Sequence, residues 1–169
     1  MTITMAKDII WIYKGFVMFG MGGWMLMAAC NNLLDPQTNV TLLKKMMSMD
    51  DLRLDGKLGQ GLLFRSIQAD AFALPMLLTI AGVQIVISLS LLLSALLLFN
   101  VPIGLIDLST DITITFTMLS ILLFTAHWFV FLIGGLWFGY WIKMGPVQMV
   151  HLTMLILSIF LQLLIGSSL

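Results

Sequence analysis

The sequence predicts an all-α fold: a four-transmembrane-helix bundle with an amphipathic interfacial helix in the long first loop, forming a single integral membrane domain over residues 1–169. Three observations lead there. The chain is 60% hydrophobic and 9% charged, with mean hydropathy +1.08, whereas soluble domains carry about 25% charged residues. It contains four apolar runs of the length that a hydrocarbon core of about 30 Å demands, roughly 20 helical residues each. Lipid offers no partner for an unpaired backbone group, so such runs must be helical. Five of the eight basic residues and five of the eight Asp fall between the first and second runs.

The first span is expected over about 15–34, "GFVMFGMGGWMLMAACNNLL", with Lys14 at its entry extending its ammonium to the interface. The preceding "MTITMAKDIIWIYKGF" has two early lysines and could pass for a signal peptide, but no small-residue cleavage pattern follows its apolar run, so it is expected to be retained. Residues 35–71 form the interfacial loop. Asp35 followed by Pro36 marks a helix start, because the carboxylate accepts from free N–H groups and proline gives up a donor that would be unpaired anyway. In "PQTNVTLLKKMMSM", Val40, Leu43, Met46 and Met47 share one face, the pattern of a short amphipathic helix lying on the membrane or on the other helices. The Gly-rich "DGKLGQG" ends it.

The second span is expected over about 72–99, with Pro75 in its first turn or at a kink; its "SLSLLLSALLLF" is too long and too charge-free for a soluble core helix. "NVPIGLIDLSTD" is a tight link ending in a cap at Ser109, Thr110 or Asp111. The third span is expected over about 112–141 and the fourth over about 147–166, longer and shorter than ideal, so tilted or frayed. Four crossings put the first and third loops on one side. "CNNLLDPQTN" therefore neighbours "GGLWFGYWIK" by topology, although about a hundred residues separate them.

Both stretches have a structural reading. Asn31 and Asn32 can cap the last carbonyls of the first span while Asp35 caps the next helix. The run Gly134, Gly135, Trp137, Phe138, Gly139, Tyr140, Trp141 reads as an aromatic belt combined with a Gly135-to-Gly139 face for close helix packing, roles that can coexist with a site. Beyond that, Asn31-Asn32, Asp35, Asn39, the "SMD" of Ser48, Met49 and Asp50, the "RSI" beginning at Arg65, and the Gly-Gly-x-Trp-Phe-x-x-Trp run ending at Trp141 resemble a bacterial family of predicted small integral membrane proteins of unknown function. The resemblance spans most of the chain. It implies a four-helix protein of the bacterial inner (cytoplasmic) membrane and supplies no activity. Leu136 stands where that pattern usually has Glu, and Ile142-Lys143 where it has Gln-Ser; without the acid, an ion-binding or proton-handling role does not carry over.

Composition narrows the remaining chemistry. Eight basic residues balance eight Asp, so no basic field recruits nucleic acid. One cysteine, Cys30, excludes an internal disulfide or a multi-thiolate metal site. No phosphate loop, catalytic triad or zinc spacing is present, which argues against a stand-alone enzyme. A redox or metal-handling protein (haem, quinone or copper) would use His127, His151, Cys30 and the methionines, since thioethers and thiolates are soft ligands. Against haem, His127 lies deep inside the exit of the third span by helical rise and His151 only about one turn into the fourth. A small carrier or channel would rest on Gln84, His127 and Gln162, few polar groups for a translocation path.

The expectation is thus a non-catalytic accessory or stabilising subunit without cofactor or metal, its partners the lipid bilayer and other integral membrane subunits. The residues offered to partners are Asn31, Asn32, Asp35, Asn39, Met49, Asp50, Arg65, Gly135, Trp137, Gly139 and Trp141. Six basic residues on the first-and-third-loop side against Lys7 and Lys14 on the other favour a cytoplasmic first loop.

Overall fold

The computed structural model describes residues 3–167. Among these residues six α-helices follow one another: α1 (Ile3–Leu34), α2 (Pro36–Ser48), α3 (Asp50–Asp55), α4 (Ala73–Ile103), α5 (Thr110–Trp137) and α6 (Gly145–Gly166), with 3₁₀ segments at Gln60–Arg65 and Tyr140–Ile142. Four of them, α1, α4, α5 and α6, are long and apolar enough to cross a bilayer, and the chain is an integral, multi-pass membrane protein of all-α fold.

Helix ends depart from the expected spans for identifiable reasons. Helix α1 begins at Ile3 rather than near Gly15, because Lys7, Asp8 and Lys14 all tolerate a helix and nothing in between breaks it. Helix α4 continues past Phe99, takes Pro102 into its last turn and stops where Gly104 adopts a left-handed φ of 69°. Helix α5 stops at Trp137 rather than Trp141, since Gly139 turns left-handed at φ 67°. Pro75 sits in the first turn of α4, and of the three candidate caps Ser109 is the one used, accepting from the Ile112 amide at 3.3 Å. Asn100 then closes the link by bonding both the amide and the carbonyl of Ile106, at 2.9 and 2.8 Å.

The bundle is built as two helical hairpins. Along α1 the buried positions Gly15, Met18, Gly22, Met25, Ala29 and Asn32 alternate steps of three and four residues. Leu77, Ala81, Gln84, Ser88, Leu91, Ala95 and Leu98 do the same along α4. Both are heptad seams, and they zip antiparallel. Glycine sets their closeness: a Cβ at Gly15 would lie 2.6 Å from the Phe99 ring, and one at Gly22 only 3.0 Å from the Leu92 backbone nitrogen. The Ser88 hydroxyl donates to the Gly22 carbonyl at 2.8 Å, a bond across the bared backbone.

Helices α5 and α6 form the second hairpin, whose Phe124, Trp128, Leu155, Leu161 and Ile165 share one core with the first. The hairpins touch through α4 and α5, where the Ser94 hydroxyl lies 3.1 Å from that of Ser120. They touch again where the Trp24 and Trp128 rings pack at 5.8 Å. Lys14 corrects its expected role. Only 2% exposed, it does not reach to an open interface. Its ammonium lies 3.4 Å from the carbonyl oxygens of Ile165 and Ser167, capping the negative end of α6.

On the opposite side α2 rests on the bundle by the expected face. Val40 and Met47 are buried against Ala69, Ala73 and Leu77, with Leu43, Met46 and Phe138 alongside. The hydrophilic side of α2, with Lys45 and Thr41, is exposed.

Candidate functional site

The ends of α1 and α5 do share a side, and residues 35–72 form a cap over them. Beneath it, Asn39 donates to the Asn32 side-chain oxygen at 2.5 Å and Asn32 donates to the Gln84 side-chain oxygen at 2.8 Å. Three carboxamides thus tie α2 to α1 and α1 to α4. The expected capping by Asn31 and Asn32 does not occur. Asn32 is buried and turned toward α4, where an unpaired amide would be costly, and Asn31 is exposed. Asp35 does occupy the residue before α2, yet its carboxylate accepts from the Thr38 hydroxyl at 2.7 Å rather than from a backbone amide.

The Ser-Met-Asp stretch is a corner. Met49 holds a left-handed φ of 55° while only 2% exposed, ending α2 and starting α3 at once. Such a conformation strains a side-chain-bearing residue by roughly 1–2 kcal/mol, and burial of the Met49 thioether in the cap offsets it. Ser48 donates back to the Lys44 carbonyl at 2.7 Å, and the Ser48 carbonyl accepts from Arg53 Nε at 3.1 Å. Asp50 is exposed in the first turn of α3, where a negative charge suits the helix dipole.

Beyond the corner, the cap is fastened to the end of α5. Arg65 donates to the Trp137 carbonyl at 3.4 Å, with its guanidinium 4.8 Å from the Trp137 ring and 5.3 Å from the Phe64 ring. Lys143 pairs with Asp55. That contact, with the Leu58 and Lys57 amides, holds the Asp55 carboxyl below its usual pKa against a smaller opposing effect of desolvation. Gly139 packs where a Cβ would meet Leu52 at 3.2 Å and Leu62 at 3.3 Å.

Gly135 and Gly139 do not form the expected interhelical face. Gly139 lies past the helix, and a Cβ at Gly135 would stand 2.5 Å from the Tyr140 ring. The glycine makes room for the chain folding back on itself. Burial raises the pKa of Tyr140, whose hydroxyl is 3.4 Å from His151 Nδ1. Trp141 remains exposed beside it.

The two histidines are nearer than their sequence depths suggest. With α5 ending at Trp137 and α6 starting at Gly145, Phe131 bridges the remaining difference. Its ring centroid is 4.2 Å from that of His127 and 5.1 Å from that of His151, and Trp128 touches both as well. Aromatic rings fill the space that a haem clamped by the pair would need. Among the described residues no three His, Cys or Asp side chains converge on a common point. Cys30 is half-buried in α1, two residues before Asn32.

Sequence reasoning missed Asp55 and Gln60 in the cap, and Lys143 and Tyr140 in the turn between α5 and α6 beside it. Gln60 donates to the Leu52 carbonyl at 2.6 Å and locks the Gly-rich turn. The available signal was topological: Asp55 and Lys143 are opposite charges on loops assigned to the same side.

The description "Predicted small integral membrane protein (DUF2165)" belongs to a family model that matches residues 10–167. No curated protein and no solved structure matches the chain.

Proposed function

We infer a role from the premise that this chain belongs to the DUF2165 family of predicted small integral membrane proteins: it acts as a non-catalytic accessory subunit that stabilises a larger assembly in the bacterial inner membrane, with its cap toward the cytoplasm. One observation carries the reading. The cap is pinned to the bundle by Arg65, Lys143 and the carboxamides, yet it holds Leu54 84% exposed and Phe64 78% exposed. Phe64 has the Arg65 guanidinium on its ring and Leu54 is almost bare, so both can bury on a partner without an ordering penalty. The four spans support the same role, because most of their surface is apolar and faces outward.

Purification from native membranes in mild detergent tests it. The expected result is co-purification of other membrane proteins that is lost in Leu54→Asp and Phe64→Asp. A monodisperse particle containing this chain alone, with the same profile in both variants, overturns it. Cysteines introduced at Lys57 and Ser109, both exposed, and labelled from each side test the orientation.

The second reading is a redox or metal-handling protein, for which the observation is that His127 and His151 pack into one aromatic cluster with Trp128 and Phe131. An absorption spectrum and metal analysis of the pure protein decide it; a colourless, metal-free sample removes it. A carrier would need a wet path to Gln84, which is 4% exposed with its oxygen engaged by Asn32.

A further inference from the structure

Helices α4 and α5 meet at Ser90, Ser94 and Ser120 and splay apart toward the cap, leaving a groove of about 660 Å³ that opens sideways into the bilayer. Thr79, Gly82, Val86, Leu123, His127 and Phe131 are among its lining residues. Thr79 spends its hydroxyl on the Pro75 carbonyl at 2.9 Å, so the wall is apolar except at one point. There His127 is 7% exposed, and its Nε2 is buried with no hydrogen-bond partner among the described residues.

By helical rise His127 lies about 15 Å below the end of α5, close to the middle of a hydrocarbon core of about 30 Å. Unpaired polar atoms at that depth cost several kcal/mol. Phospholipid esters stay at the interface and cannot reach this one. A partner's transmembrane helix could supply a polar group, but the groove runs only from Thr79 to Ile87, about 12 Å, and is closed below by the serine contact. A spanning helix has to continue past that point. A short occupant does not.

We propose that this groove binds a membrane-dissolved lipophile with a flat ring and a hydrogen-bonding ring oxygen, the chemistry of an isoprenoid quinone or quinol. Rotation of the imidazole toward the groove brings Nε2, which has no open surface in this structure, to the ring oxygen, a carbonyl accepting from it or a hydroxyl donating to it according to the tautomer. The ring lies against Phe131, and the tail leaves between Val83, Val86 and Val130, whose side chains are exposed to the bilayer. The volume falls in the range of small-molecule pockets, about 300–1,000 Å³. The proposal concerns binding by the isolated chain and is independent of the accessory role.

The test uses the full chain in nanodiscs of phosphatidylcholine, titrated with a decyl-substituted benzoquinone while tryptophan fluorescence is read. The Trp128 ring is 5.2 Å from that of His127, within reach of quenching by a bound quinone. Saturable quenching is expected above the linear background of partitioning. His127→Leu should weaken it about tenfold, a loss of about 1.4 kcal/mol. Gly82→Phe should abolish it, since Gly82 has open space before it and a ring there fills the groove. The corresponding decyl quinol should compete, and decylbenzene should not.

Linear quenching that is the same in the wild type and both variants overturns the proposal. So does competition by decylbenzene, which would reveal a chain-binding crevice without ring recognition. A Val86→Cys crosslink to a second copy or another protein in native membranes, unaffected by the quinone, would assign the groove to a protein partner instead.

Discussion

Asn32 donates to Gln84 across 2.8 Å in the seam between α1 and α4, while its own oxygen accepts from Asn39 above. Buried amides are satisfied in sequence here, so removing the middle one strands both neighbours. Asn32→Leu is expected to destabilise the bundle by about 1–2 kcal/mol. The double variant Asn32→Leu/Gln84→Leu should recover part of that loss, because it leaves one unpaired amide rather than two. Unfolding in detergent micelles, followed as a double-mutant cycle, measures both; strictly additive losses would refute the coupling.

Close backbone approach gives a sharper contrast. A Cβ at Gly22 would press on the backbone nitrogen of Leu92 at 3.0 Å, which cannot move without shifting α4, whereas Gly20 has nothing within 4 Å. Gly22→Ala should therefore cost about 1–3 kcal/mol as an overpacked contact. Gly20→Ala should be neutral or stabilising by up to about 1 kcal/mol through helix propensity. Thermal midpoints of the two variants decide it, and equal midpoints would show that the helices can part freely.

Lys14 closes the far end of α6. Replacing it with Met keeps the length of the side chain and removes the donor that meets Ile165 and Ser167. Amide exchange should then quicken in the last turn, where Ser167 N–H bonds the Leu163 carbonyl at 3.0 Å. The middle of α6 should be unaffected. Unchanged exchange at the end of the helix would mean that the cap contributes nothing.

Acid should loosen the cap through Asp55. Its carboxyl is held below the ordinary value of 3.8, chiefly by Lys143. The stabilisation is thus fully present above that ordinary value and fades as pH falls from it through the depressed one. Hydrogen exchange at Gly56 to Gly59, corrected for the intrinsic pH dependence, should rise over that window. Asp55→Asn should show faster exchange already at neutral pH and no further acid step of this origin. An acid response identical in wild type and variant would assign the effect to another group.

Much of this architecture was legible in the sequence, since the four spans, the side shared by the Asn-rich and Trp-rich stretches and the face of α2 all follow from apolar run length, chain parity and periodicity. Helix ends were less so. The Gly-rich stretch ends α3 rather than α2, which stops earlier at Met49, a buried left-handed corner that no glycine marks. Lys14 looks like a boundary residue, and only the distant end of α6 shows that it is a buried cap. The aromatic run around Trp137 hides where α5 stops, because Gly139 could continue a helix as easily as end one. The Gly15-to-Asn32 seam was also obscured. In a chain this apolar, the buried face and the lipid face differ in size rather than in polarity, and a period read from hydrophobicity alone sees little.

The Gly, Met and Ala teeth of α1 and the Leu, Ala and Ser teeth of α4 repeat every seven positions, so a slip of one repeat would mesh small residues with small residues almost as well. The carboxamide pair has no second mate at the seam positions of either helix. It therefore works as an index mark that lets only one alignment close. Lipid cannot penalise a wrong offset through exposed grease, and here hydrogen-bonding side chains carry the error correction that water performs for a soluble zipper.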